Sequence, residues 1–196
     1  GEEALFVERL AHAIGYEDPA ARAQVFEAWG PAGWPTQRLM ELFLRDVHHY
    51  LFDVEFSPRP DETYRIRQEV RKRTVEALTH GSEKSGPHVL VGHSLGTVIG
   101  YDCLMGVPDC PGVDGFLTIG SPLGLDVVQD RLLPEWTRRD GFPSARLRGR
   151  WVNVYDGLDP VAGFDAVLAD DFQRDGVAAI DDIEEPNSGG WRHSIV

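Results

Sequence analysis

His88-Val89-Leu90-Val91-Gly92-His93-Ser94-Leu95-Gly96 is the stretch that decides how this chain folds. Its first half is a short apolar run bounded by turn residues, the pattern of a strand buried in a parallel sheet. Residues 95–105 then read as a helix, so Gly92-His93-Ser94-Leu95-Gly96 falls where a strand meets a helix. A G-x-S-x-G pattern in that setting is a nucleophile elbow, a sharp turn that forces its serine into strained backbone geometry. The flanking glycines let strand and helix approach where a Cβ would collide. Ser94 is then expected to project from the C-terminal edge of the sheet. The Leu95 N–H at the helix N-terminus would face a developing oxyanion there.

Working outward, Gly115-Phe116-Leu117-Thr118-Ile119 reads as a second buried strand and Trp151-Val152-Asn153-Val154-Tyr155 as a third. A weaker fourth covers residues 177–180. Strands separated by helices and loops predict a mostly parallel α/β sheet flanked by helices. The region before it reads as helical. Residues 4–14 carry Leu5, Leu10 and Ile14 near one face. Thr36 is an N-cap candidate for a helix in which Leu39, Leu42, Phe43, Val47, Tyr50 and Leu51 recur at helical spacing. Trp29-Gly30-Pro31-Ala32-Gly33-Trp34-Pro35 and Ser57-Pro58-Arg59-Pro60 break regular structure. Asp61 or Thr63 opens a charged helix that runs to about Thr79 and is closed by His80-Gly81. We therefore expect one domain over residues 1–196, with a helical, cap-like part at 1–60 and a catalytic core at 61–196.

Composition narrows the function. The chain has 19 basic and 32 acidic side chains, a net charge of −13, which disfavours contact with phosphate backbones and anionic lipid surfaces. Nucleic-acid partners are not expected. No apolar run approaches the length that spans a bilayer, so no integral membrane association is expected either. The acidic start, Gly1-Glu2-Glu3, does not have the form of a secretory signal, which points to a cytoplasmic protein. The two cysteines, Cys103 and Cys110, are too few for a disulfide framework or a zinc site, and read as reduced, buried residues. Neither a metal nor a cofactor is expected.

A serine hydroxyl needs a general base to be a useful nucleophile at neutral pH. In a fold built around such an elbow the order along the chain is serine, acid, histidine. Of the seven histidines only His193 follows Ser94, so the order rule selects it. His93 adjoins Ser94 but points across the turn, as a packing or pocket residue. The acid is expected in Asp156-Gly157-Leu158-Asp159-Pro160-Val161, the turn after the third strand. A carboxylate there can reach the Nδ1 of a histidine on the next loop and hold its tautomer. Asp159, in a rigid turn, is favoured; Asp156 is the alternative, with Asp126 and Asp165 behind it. Either turn aspartate could instead cap a helix near Phe164.

Four blocks now stand in order: Gly92-His93-Ser94-Leu95-Gly96, Thr118-Ile119-Gly120-Ser121-Pro122-Leu123-Gly124, Asn153-Val154-Tyr155-Asp156-Gly157-Leu158-Asp159-Pro160-Val161, and His193. Together they resemble the α/β-hydrolase superfamily, and within it the lipase- and esterase-like bacterial members. The likeness covers roughly residues 62–196. It implies a Ser94–Asp159–His193 triad, an oxyanion hole that uses the Leu95 N–H, and acyl-enzyme chemistry on a small-molecule or lipid-like acyl substrate. It also implies that Ser121 lies near the site, as a structural or substrate-lining residue. The superfamily has earlier strands, one of them followed by a His-Gly loop that supplies a second oxyanion donor, and it closes with a helix. Neither is found around the matching blocks, so further parts of the domain are expected outside these residues.

The expectation is a serine hydrolase acting on carboxylic esters or thioesters. Amide hydrolysis and acyl transfer use the same constellation, and a non-catalytic binding module of the same fold is the alternative from another class. The helix around residues 39–51, the Trp29/Trp34 loop and Trp136 are candidates to line or cover an acyl pocket, although an apolar helical stripe is more often core. Because the base must be neutral to accept a proton, activity is expected to fall at acid pH.

Overall fold

The computed structural model describes residues 1–14, 34–132, 136–159, 161–162, 165–187 and 193, with the side chains of 34–41 left out of the description. Helices α1 (Glu2–Ala13) and α2 (Trp34–Leu51) come first, followed by strands β1 (Glu55–Arg59) and β2 (Glu62–Arg65) and helix α3 (Ile66–Ser82). Strand β3 (Val89–His93), helix α4 (Leu95–Gly106) and strand β4 (Val113–Ile119) follow. A 3₁₀ turn (Pro122–Gly124), the short helix α5 (Asp126–Gln129), β5 (Leu147–Tyr155) and β6 (Ile180–Glu184) complete the order.

Strands β3 to β6 form one parallel sheet in the order in which they occur along the chain. This is an α/β fold. Register aligns Leu90, Phe116, Trp151 and Ile180 across one face, and Gly92, Thr118, Asn153 and Asp182 in the next row of that face. The other face carries Val91, Leu117 and Val152, then His93, Ile119, Val154 and Ile183. The faces differ sharply in burial: Phe116 and Trp151 are buried, whereas Val91 is 56% exposed and Ile183 45%. Chain order explains the asymmetry. Right-handed crossovers between strands that advance in one direction send every connection to the same side. Helix α4 occupies that side closely, since a Cβ on Gly100 would stand 3.0 Å from Leu90 and 3.2 Å from Phe116. Helices α1, α2 and α3 pack on one another and on α4 and α5.

The core is aromatic at its centre. Trp151 packs against Phe116, Phe172, Tyr101 and Phe142 at centroid distances of 5.0, 5.5, 5.7 and 6.0 Å. Its indole N–H donates to Thr118 Oγ1, so the ring's one polar group is satisfied. Cys103 and Cys110 are both buried free thiols, and burial pushes Cys103 up to about 12. No described helix is long and apolar enough to cross a membrane.

Four expectations about the elements need correction. The break at residues 57–60 and the helix opening at Asp61 or Thr63 are instead an antiparallel hairpin, so residues 1–60 are not wholly helical. Phe56 and Tyr64 pair across it with rings 5.7 Å apart, and Asp61, the supposed cap, sits in its turn with φ of 71°. The helix starts at Ile66 because the Asp53 carboxylate accepts from the Arg67 and Gln68 N–H groups, a cap supplied from outside the helix. It also runs past His80-Gly81, where the missing Cβ makes room for the His88 ring. Helix α2 begins at Trp34-Pro35 rather than after Thr36, because proline suits a first helical turn. The fourth strand is Ile180–Glu184 rather than 177–180; Val177 makes only an isolated bridge to Arg174.

Candidate active site

The turn at Ser94 joins a strand to a helix in strained backbone geometry. Ser94 lies between β3 and α4 with φ of 53° and ψ of −129°, left-handed territory that costs a non-glycine residue roughly 1–3 kcal/mol. Its N–H donates to the Ile119 carbonyl at 3.0 Å, which ties the turn to β4. A Cβ at Gly92 would come within 2.9 Å of the Gly96 and Thr97 backbone, so that glycine is required. At Gly96 a Cβ would meet nothing within 4 Å, and the close-approach argument does not extend to it. Leu95 is the first residue of α4, where backbone N–H groups have no partner within the helix, and the Thr97 N–H donates to the Ser94 carbonyl at 2.9 Å.

A residue missed from the sequence holds this turn in place. Thr97 is fully buried, and its hydroxyl donates to the Ser94 carbonyl at 2.7 Å. With that proton committed, the Ser121 hydroxyl donates to Thr97 Oγ1 at 2.8 Å and itself accepts from the Leu123 N–H at 3.2 Å. Ser121 is 2% exposed and braces the turn at Ser94 through this relay, a structural role. Only a hydroxyl one turn into the helix, at the i+3 position from Ser94, could have pointed to Thr97 in advance.

The candidate acid and base, Asp159 and His193, meet at the same end of the sheet. His193 Nδ1 lies 2.7 Å from Asp159 Oδ2. The carboxylate can only accept, so Nδ1 carries the proton and Nε2 keeps its lone pair. Asp159 is 2% exposed, and its other oxygen accepts from the Val161 N–H at 2.9 Å, an Asx turn that aims the first oxygen at His193. Asp156 is used differently. Its two oxygens accept from the Leu158 and Asn187 N–H groups, each at 2.8 Å, joining the turn after β5 to the segment after β6. Of the two turn aspartates, then, Asp159 is the one set against His193. Gly120 completes the pair with φ of 54°: a Cβ there would stand 2.9 Å from Asp159 Oδ2 and 3.2 Å from His193 Nδ1.

His93, Gly120, Asp159 and His193 line a cavity of about 50 Å³, together with Glu185 and Asn187. Helix α2 buries Leu44, Val47, Tyr50 and Leu51, so most of its stripe is core, but its Phe43 ring sits edge-on to His193 with centroids 6.2 Å apart. Trp136 is not at this cavity: its ring packs on Phe172 in the aromatic core, 5.7 Å between centroids. Trp29 and the Trp34 side chain lie outside the described residues. A larger cavity of about 560 Å³, between α1 and α5, shares no described lining residue with the first, and Ser94 is not among the described lining residues of either. Its mixed lining includes Glu8, Arg9, His12, Asp126 and Asp165. Burial, followed by the charges of Asp171, Asp170 and Asp126, raises Asp165 to about 6. Asp126 and Asp165 thus belong to a different part of the molecule from His193. Among the described residues no group of side chains has the makings of a metal site.

No family model, curated protein or solved structure matches this chain.

Proposed function

We propose that this chain is a serine hydrolase of the α/β-hydrolase kind that cleaves carboxylic esters or thioesters through an acyl-enzyme. The observation that carries the reading is a strained serine at a strand-to-helix turn together with an Asp–His pair at 2.7 Å, all at one end of a parallel sheet. Ser94 Oγ attacks the acyl carbonyl and its proton passes to His193 Nε2. The carbonyl oxygen becomes an oxyanion facing the Leu95 N–H. Collapse breaks the bond to the leaving alcohol or thiol, which takes the proton from Nε2. Water then attacks the acyl-enzyme with His193 again as base, releasing the acid and restoring Ser94. Asp159 holds the imidazole by Nδ1–H and stabilises the imidazolium formed in each half-reaction.

A fluorophosphonate probe should label the wild-type protein, and Ser94→Ala should abolish labelling while leaving the fold intact by circular dichroism. A panel of p-nitrophenyl esters and acyl-CoA thioesters then separates the two substrate classes. A folded wild-type protein that neither labels nor turns over any member of the panel would leave a non-catalytic module of the same fold.

A further inference from the structure

We propose that His93 is a positioning residue for the base, tying the backbone at His193 to the elbow through a hydrogen bond from its Nε2–H to the His193 carbonyl oxygen. The proposal rests on the serine-hydrolase reading and adds to it the device that brings nucleophile and base together. The two atoms are 2.6 Å apart. A carbonyl only accepts, so His93 must hold its proton on Nε2. The two imidazoles also lie against each other, with centroids 4.8 Å apart and planes at 34°.

Two further contacts hold the His193 ring. Asp159 grips Nδ1 at 2.7 Å and so sets the rotation of the ring, and Phe43 packs against the ring edge. Both contacts act on the side chain. The bond from His93 acts on the main chain, which must be fixed before a side-chain contact can set where Nε2 lies. His93 is well placed for this. It ends β3 on the face opposite α4, in the row of Ile119 and Val154, and it precedes Ser94 directly. One rigid side chain therefore links the turn that carries the nucleophile to the residue that carries the base. Burial and the neighbouring His193 lower the pKa of His93, which keeps it neutral and keeps a second positive charge away from the imidazolium formed in the reaction.

The test compares His93→Phe, which keeps the ring volume and loses the donor, with His93→Gln, whose side-chain amide can place an N–H near the Nε2 position. Misplacing a catalytic group by about 1 Å costs on the order of 100-fold. We expect His93→Phe to lower kcat on a p-nitrophenyl ester by roughly 10- to 100-fold with little change in KM, and His93→Gln to recover most of the loss. An activity-independent readout accompanies it. The low-field proton resonance of the His193 Nδ1–H bonded to Asp159 should be present in the wild type, lost or broadened in His93→Phe, and restored in His93→Gln. Thermal unfolding checks that both variants fold. An unchanged kcat and an unchanged low-field resonance in folded His93→Phe would overturn the proposal. A wild type that shows the resonance but does not label with fluorophosphonate would instead count against the hydrolase reading, and the resonance in the variants would still decide the role of His93.

Discussion

At Gly120 a backbone φ of 54° coincides with a space that a Cβ would fill at 2.9 Å from Asp159 Oδ2. Two penalties fall on one substitution there, one conformational and one steric. Gly120→Ala should therefore push the carboxylate off His193 and reduce fluorophosphonate labelling by at least tenfold, on the order of what loss of a positioned base costs. Gly96→Ala is the contrast. Its Cβ meets open space and it sits inside α4, so the variant should unfold at the same temperature or higher, with a gain in stability of up to about 1 kcal/mol from helix propensity. Thermal melts of the two variants, with labelling measured in parallel for Gly120→Ala, check both. Equal labelling of Gly120→Ala and wild type would show that the Asp159–His193 contact tolerates the displacement. The sequence placed Gly96 beside Ser94 and Gly120 in the block after the second strand; only the third dimension shows which neighbours a Cβ would strike.

Among the elements, the joint between α2, α3 and α4 rests on one carboxylate. Asp102 is fully buried in α4 and accepts from Tyr50 Oη at 2.7 Å. It also accepts from Arg67 at 3.0 and 2.8 Å, and from Arg71 at 2.8 and 2.6 Å. Burial alone would raise its pKa, but the hydrogen bonds from Arg71 and Arg67 outweigh that and hold the carboxyl below the usual carboxylate range. The sign of the pH effect follows. A carboxyl whose pKa is lower in the folded than in the unfolded chain contributes stability that is complete above the unfolded value of about 4, and loses it as pH falls through the folded value. Removing one partner of a buried ion pair leaves the others uncompensated, so Asp102→Asn should cost about 3–5 kcal/mol in urea unfolding at neutral pH. Its stability should also fall less steeply than that of the wild type as the pH drops below about 4. An unchanged acid slope would mean that other carboxylates carry the acid sensitivity. Arg67, Arg71 and Asp102 each look like ordinary surface charges on their helices, and nothing in their spacing couples residues 31 and 35 positions apart.

Among the described residues, one face of the sheet is covered by α4 and the other carries the exposed Val89, Val91 and Ile183. Strand order sends the connections to the side of α4, and on the other side Val89 and Val91 are 50% and 56% exposed. Parallel sheets usually have both faces covered, and an apolar surface of this kind takes up other apolar groups. The chain should therefore enhance the fluorescence of a hydrophobic dye in its folded state, and Val91→Thr should weaken that signal without lowering the unfolding temperature by more than a few degrees. Dye fluorescence in Val91→Thr equal to that of the wild type would place the dye elsewhere.

The strands around Ser94, its strained turn, and the aspartate turn and late histidine that pair were legible in the sequence because each depends on local chemistry: an apolar run, two glycines about a serine, an aspartate in a turn after a strand, and one histidine late in the chain. Short-range steric rules act within a few residues and leave a pattern there. The hairpin at residues 55–65 was hidden because a proline and a turn aspartate have the same appearance before a helix as in a two-stranded ribbon, and the deciding contacts are Phe56 with Tyr64 and Asp53 with the α3 N-terminus. Which of Asp156 and Asp159 faces His193, and the bond from His93 to the His193 carbonyl, were decided only by tertiary structure. These contacts join residues 31 to 100 positions apart. Such distances close only when the sheet brings the ends of its strands together, and no local pattern records that meeting.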